Sequence, residues 1–307
     1  KRKLTLRYII LGLIMAGLFQ VFFWITQDNR VSLIETSFEK VESLSYSPFE
    51  GYDKKVLSPE QIEEDVSMLS HFTTKLRTYS TADAKVILEA TSKTDIPIDL
   101  GIWISGDHKE NHLEIQRALK LLEKYPDNIA NVIVGNETLL RADLEEEELF
   151  AYIDFVAEFT NKPITCAETW DVWERIPDLA KHVDFITIHI LPYWEKVPID
   201  RFNDFIIEKY TLVEKLFPYT KINIGETGWP SHGYNNNNAV PSLKNQAVAI
   251  RGFINLASEK GWDYNIVEAF DQQWKGYDEG NVGQYWGIFT SDRELKFYLS
   301  GDIELNQ

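Results

Sequence analysis

A (β/α)₈ TIM barrel, an α/β fold, is what the sequence predicts for most of the chain, and three observations predict it. Eight short apolar runs rich in β-branched residues alternate with amphipathic stretches of helical spacing along the 307 residues. Together they fill roughly the 250 residues such a barrel takes. No glycine-rich phosphate loop follows the first run, as it more often would in a doubly wound sheet.

The elements follow in order. Lys1, Arg2, Lys3 and Arg7 precede an apolar run over residues 8–25, broken only by Gln20. That run is long enough to cross a bilayer, and no small-residue cleavage pattern follows it. The basic flank keeps the N-terminal side cytoplasmic. Residues 1–27 are therefore expected to form a transmembrane or signal-anchor helix in the lipid bilayer. The domain that follows is then extracytoplasmic (periplasmic or at the cell surface), or secreted if the segment is a cleaved signal. Residues 28–42 are polar and mixed and read as a tether; residues 43–307 form the main domain, expected to be monomeric.

Strands are predicted over 41–48, 75–80, 96–105, 129–137, 163–169, 183–191, 221–228 and 263–271, each short and apolar enough for burial on both faces of a parallel sheet. Helices are predicted over 59–70, opening on Ser58-Pro59, and over 111–125, 143–159, 201–217 and 243–261. The acidic run 145–148 suits the first turn of its helix. The asparagine run 235–238 reads as loop.

Composition removes several classes of function. A net charge of −17 and a pI near 4.8 leave no basic face for nucleic acid. The lone Cys166 cannot form an internal disulfide, and nothing around it activates a thiol. No His/Cys/Asp cluster has metal-ligand spacing, so neither a metal nor another cofactor is expected. Aromatic residues make up 13% of the chain, nine of them tryptophans. Trp103, Trp170, Trp173, Trp194, Trp274 and Trp286 are candidates for flat stacking platforms.

Two carboxylates carry the chemistry. Glu137 ends the fourth strand and Glu226 the seventh, each where an apolar run gives way to turn residues. A carboxylate there is costly to desolvate unless it is used, and the C-terminal strand ends of a barrel converge on one site. Two such groups are the minimum for acid/base and nucleophilic work on a glycosidic bond. Glu168, Glu195, Glu268 and Asp271 are nearby acids suited to structural or substrate-positioning roles.

The chain resembles family 17 glycoside hydrolases, on Val134-Gly135-Asn136-Glu137 and Gly225-Glu226-Thr227-Gly228-Trp229-Pro230-Ser231. Arg77-Thr78-Tyr79, Ala167-Glu168-Thr169-Trp170, His189 to Glu195, Glu268 to Lys275 and Tyr285 to Phe289 match in the same order. The resemblance is to the bacterial branch. Plant members read Asn-x-Tyr-Pro after strand six, where this chain has His189 and Leu191, which leaves Tyr79 and Tyr193 as alternatives for orienting the nucleophile.

The resemblance implies a retaining enzyme active on β-1,3-glucan, with Glu137 as acid/base, Glu226 as nucleophile and transfer slightly favoured over hydrolysis. It further implies substrate contacts from Asn136, Tyr79, Arg77, Glu168, Trp170, Tyr193, Trp229, Glu268, Asp271, Trp274 and Lys275. Hydrolysis of another β-linked glycan, or a non-catalytic glycan-binding barrel, are the alternatives.

Overall fold

The computed structural model describes residues 12, 14–17 and 40–300. Residues 12 and 14–17 are helical; the rest of the anchor segment expected over residues 1–27 lies outside the described residues. Among the described residues no helix is long and apolar enough to cross a membrane.

Eight parallel strands close into a barrel: β1 (Val41–Ser45), β2 (Thr73–Arg77), β3 (Ile98–Ile102), β4 (Ile129–Asn136), β5 (Ile164–Thr169), β6 (Ile186–His189), β7 (Ile222–Thr227) and β8 (Asp263–Ile266). Each pairs with its sequence neighbour, and β8 closes on β1 through Leu44 and Ile266. All eight strands overlap predicted runs, with β2 beginning two residues before its run and ending three short of it. Strand β1 pairs with β2 from its first residue, Val41 against Thr73.

The expectation of strands apolar on both faces holds for one face only. Leu44, Leu76, Leu100, Val134, Ile188, Ile224 and Ile266 are buried. Alternate positions are polar and meet across the lumen. Ser43 Oγ donates to Asn265 Oδ1 of the adjacent β8 at 2.7 Å, whereas Arg77 on β2 reaches across to Gly225 on β7, Asn136 on β4 and His189 on β6. Contacts between strands so far apart in the barrel order can only run through its interior. The barrel is thus filled by a hydrogen-bonded network that leads up to the site.

The helices are α1 (Pro59–Leu69), α2 (Thr81–Thr91), α3 (His108–Lys124), α4 (Glu146–Ala157), α5 (Trp170–Arg175), α6 (Phe202–Leu216) and α7 (Leu243–Lys260). Ser58 and Gln61 make a reciprocal capping box with Pro59 in the first turn, which fixes where α1 begins. Helix α7 ends at Gly261, whose φ of 66° is left-handed. Helices α2 and α5 were not among the predicted elements; α2 is short with β-branched residues, and α5 has six residues. After β8 the described chain runs through two 3₁₀ turns, Gln273–Tyr277 and Asn281–Tyr285, in place of a helix. They carry Trp274, Lys275, Glu279 and Trp286 onto the cleft.

Candidate active site

A cleft of about 1230 Å³ opens at the C-terminal ends of the strands, with Glu137 and Glu226 in its lining. This exceeds the ~300–1,000 Å³ of ordinary small-molecule pockets and leaves room for several sugar units. Nine carboxylates line it against the cations Lys54, Arg141 and Lys275, a balance hostile to an anionic substrate.

The sequence builds the Glu137 corner from two backbone singularities. Gly135 has φ 84°, and a Cβ there would meet Thr138 Oγ1 at 2.9 Å. Glu137 itself is left-handed at φ 54°, a conformation that costs a non-glycine residue about 1–3 kcal/mol. Its backbone is fixed on both sides: Glu137 N donates to Ala167 O at 2.7 Å, and Arg141 N donates to Glu137 O at 2.9 Å. Glu226 lies on β7 opposite His189 of β6. Gly225 before it has no room for a side chain, since a Cβ would lie 2.3 Å from Thr187 and 3.2 Å from Arg77.

His189 stands between the two carboxylates. Its Nδ1 is 2.6 Å from Glu137 Oε1, and its Nε2 is 3.7 Å from Glu226 Oε1. Arg77 Nη2 lies 3.2 Å from Nε2. An arginine can only donate, so Nε2 accepts and the ring proton sits on Nδ1, where it is given to Glu137. One oxygen of each carboxylate lies within 4.8 Å of the other. Three such ligand atoms could suggest a metal triad. However, His189 turns opposite ring nitrogens to the two acids and a guanidinium occupies one side, so the donors do not face a common point.

Glu226 is the more tightly held. Burial works to raise its pKa, but the Arg77 guanidinium, the Tyr79 hydroxyl and the Lys275 ammonium outweigh it and keep the carboxyl below its ordinary value. Arg77 Nη1 is 3.4 Å from Glu226 Oε1, and Tyr79 donates to the same oxygen at 2.7 Å. Burial and the charge on Glu226 push the Tyr79 phenol well above its ordinary value, so it remains a donor. Of the two tyrosines weighed for this contact, Tyr79 makes it; Tyr193 is buried and donates to Tyr234 O at 2.6 Å.

The other residues named from the sequence divide into two groups. Asn136, Tyr79, Trp170, Trp274 and Lys275 line the cleft, as do Trp103, Trp194 and Trp286. Asn136 Oδ1 accepts from Arg77 at 2.7 Å, which leaves its amide NH₂ for the cleft. Lys275 is held charged above its ordinary value: burial opposes it, and Glu268 (Oε2 at 2.9 Å) and Glu279 more than compensate.

Arg77, Glu168, Tyr193, Trp229, Glu268 and Asp271 stand behind the cleft wall instead of in it. Glu168 is fully buried, takes hydrogen bonds from Leu139 N at 2.7 Å and Leu140 N at 3.3 Å, and is pushed up to about 7 by burial. Asp271 is taken up by Lys296 at 2.7 Å and Gly287 N at 3.0 Å. Trp229 donates its indole N–H to Val240 O at 3.1 Å, and Trp173 donates to Thr187 O at 2.9 Å, so both indoles are core. Glu195 accepts from Trp170 Nε1 at 3.2 Å and fixes that platform at the rim. Residues that sequence reasoning missed or discounted are His189, Arg141 and Glu279. His189 sits in an apolar strand that gives no hint of its two partners, and Arg141 and Glu279 are single charges in loops.

Two carboxylates bridged by a histidine at the top of a barrel, in a cleft walled with tryptophan, define a carbohydrate-cleaving enzyme. A family model for the BtgE/BtgC glycoside hydrolase domain matches residues 43–287, and the chain belongs to that family. It is similar to the glucan 1,3-beta-glucosidase of Schizosaccharomyces pombe, at 28% identity over 256 residues, 77% of this chain and 79% of the relative. A glycoside hydrolase family 17 β-1,3-glucanosyltransferase from Rhizomucor miehei superposes with a TM-score of 0.76 at 25% identity, over 85% of this chain and 98% of that one. An active-site mutant of the Rhizomucor miehei enzyme in complex with laminaritriose matches with a TM-score of 0.75 at 25% identity, over 86% and 97% of the two chains.

Proposed function

We propose that this glycoside hydrolase acts on β-1,3-glucan by retaining double displacement and transfers the glucanosyl unit to another glucan in preference to water. The observation that carries the mechanism is the spacing of Glu137 and Glu226 around His189, with carboxylate oxygens within 4.8 Å. Oxygens this close suit the ~5–5.5 Å between the carboxyl groups of a retaining pair better than the ~6.5–9.5 Å of an inverting one. The substrate is supported by relatives named as 1,3-β-glucan enzymes and by the laminaritriose complex. The excess of carboxylates in the cleft favours a neutral glycan over a uronide.

In the first step Glu226 attacks the anomeric carbon as the Glu137 proton passes to the departing oxygen, giving a glycosyl ester and an ionised Glu137. Glu137 then takes the proton of the acceptor hydroxyl as that oxygen displaces Glu226. Tyr79, Arg77 and Lys275 hold Glu226 ionised before attack and stabilise it as it departs. The bacterial-branch placement rests on His189 and Leu191. A membrane-tethered, extracytoplasmic setting rests on the basic flank and apolar run before residue 26.

The test is incubation with laminari-oligosaccharides followed by mass and linkage analysis. Products longer than the donor establish transfer, hydrolytic products alone refute the preference for it, and no turnover of any β-glucan overturns the substrate. Glu226→Ala is expected to reduce turnover by at least ~10⁴-fold, and near-normal activity removes Glu226 as nucleophile.

A further inference from the structure

We infer that Arg141 is the positioning residue of the acid/base: it locks the left-handed turn that aims Glu137 and does so from the acceptor side of the cleft. This rests on the acid/base reading of Glu137 given above. The turn from 137 to 143, directly after β4, has no helix or strand of its own, yet its backbone is tied at nearly every residue. Arg141 Nη1 donates to the carbonyl of Asn136, immediately before Glu137, and Arg141 N donates to the carbonyl of Glu137 itself at 2.9 Å. Its Nη2 donates to Ile104 O at 3.1 Å, which fastens the turn to the loop after β3.

The guanidinium is itself held in place. A single oxygen of Asp143, Oδ2, accepts from Nε at 2.8 Å and lies 2.7 Å from Nη2. The indole of Trp103 lies against the guanidinium carbon at 4.5 Å from the ring centroid. Glu168 holds Leu139 and Leu140 from beneath. A surface arginine in a salt bridge would need none of these contacts; a group that must keep one carboxyl in an unfavourable φ needs them all.

Its place in the cleft sets the side on which it acts. Glu226 sits under the anomeric carbon and Glu137 beside the departing oxygen, so the direction from Glu226 to Glu137 points toward the leaving group and acceptor. Arg141, Leu140 and Trp103 line the cleft in the loops after β3 and β4, around the Glu137 strand end. Loss of Arg141 therefore weakens proton transfer to the leaving group and from the acceptor, while the nucleophile stays in place.

The test compares two donors carrying the same laminaribiosyl group: an oligosaccharide, whose departure needs a proton, and a 2,4-dinitrophenyl glycoside, whose departure does not. For Arg141→Met, kcat/KM is expected to fall about 30–100-fold on the oligosaccharide and only a few-fold on the dinitrophenyl donor. Azide should then raise kcat on the latter by relieving the base step. Asp143→Asn, which keeps the arginine, should show the same contrast more weakly and covers the case of a poorly folded Arg141→Met. Equal losses on both donors in folded Arg141→Met and Asp143→Asn, or no loss on either, overturn the positioning role. Glu137→Ala run alongside separates the two claims. If it shows no dependence on the leaving group, the acid/base reading of Glu137 fails first.

Discussion

Replacing Tyr79 by Phe removes one oxygen and tests what holds the nucleophile. The hydroxyl donates to Glu226 Oε1 at 2.7 Å and is 2.9 Å from Ser45 Oγ. A hydrogen bond to a charged group contributes about 1.5–3 kcal/mol, or roughly 10- to 150-fold in rate if all of it is lost at one barrier. The two half-reactions do not share it equally. In glycosylation Glu226 gives up charge as it bonds carbon, so the bond is stronger before attack than at the transition state and its loss does not itself slow this step. In deglycosylation the carboxylate regains charge, and the missing donor is felt as that charge develops. Tyr79→Phe should therefore slow deglycosylation about 10- to 100-fold and leave glycosylation close to the parent rate. The acidic limb of kcat/KM should move to higher pH, because one of the groups lowering Glu226 is gone. Pre-steady-state release of dinitrophenol, with intact-mass detection of the glycosyl-enzyme, reads both steps. An intermediate that fails to accumulate, with glycosylation the slower step, refutes the assignment of Tyr79 to the leaving carboxylate.

The remaining predictions concern stability. Burial pushes Glu42 and Glu168 up to about 7 and Asp83 to about 6, so the folded chain binds protons there that the unfolded chain has released. Their contribution is complete below pH ~4 and is lost as pH rises through 6–7. Glu226, held low, acts in the opposite sense and only as pH falls through its own folded value. Thermal unfolding should give a midpoint several degrees higher at pH 5 than at pH 8, and a flat or inverted profile contradicts the assignment. Asp271→Ala strands the buried Lys296 and should cost about 3–5 kcal/mol by chemical denaturation. The kcat/KM of the folded fraction should stay near that of the parent, because Asp271 does not line the cleft.

The barrel was legible in the sequence because strand burial leaves a local trace, as in Ile129-Ala-Asn-Val-Ile-Val or Lys221-Ile-Asn-Ile. The paired acids were legible for the opposite reason, as charges where such runs stop. What could not be read is which polar side chains meet across the lumen. Arg77 is 112 residues from His189 and 148 from Gly225, and nothing local marks any of them as partners. Tyr193 and Trp229 sit in motifs as informative as that of Tyr79, yet they close an aromatic core under the rim, with their rings 5.9 Å apart. A motif fixes the neighbourhood of the site, and the barrel's closure decides which members face the cleft.

That closure also explains how one small set of groups can serve two steps of opposite demand. In the proposed double displacement Glu226 is negative and Glu137 carries the proton before attack; in the intermediate Glu226 is an ester and Glu137 is negative. The charge has moved a few ångströms, from one face of the His189 ring to the other. Arg77 lies 3.4 Å from Glu226 and is bonded to Asn136 and to His189, the ring that carries the hydrogen bond to Glu137. His189 gives its Nδ1 proton to Glu137 throughout and strengthens that bond when Glu137 ionises. The pocket is preorganised for the sum of the two states, which is where electrostatic catalysis gains most.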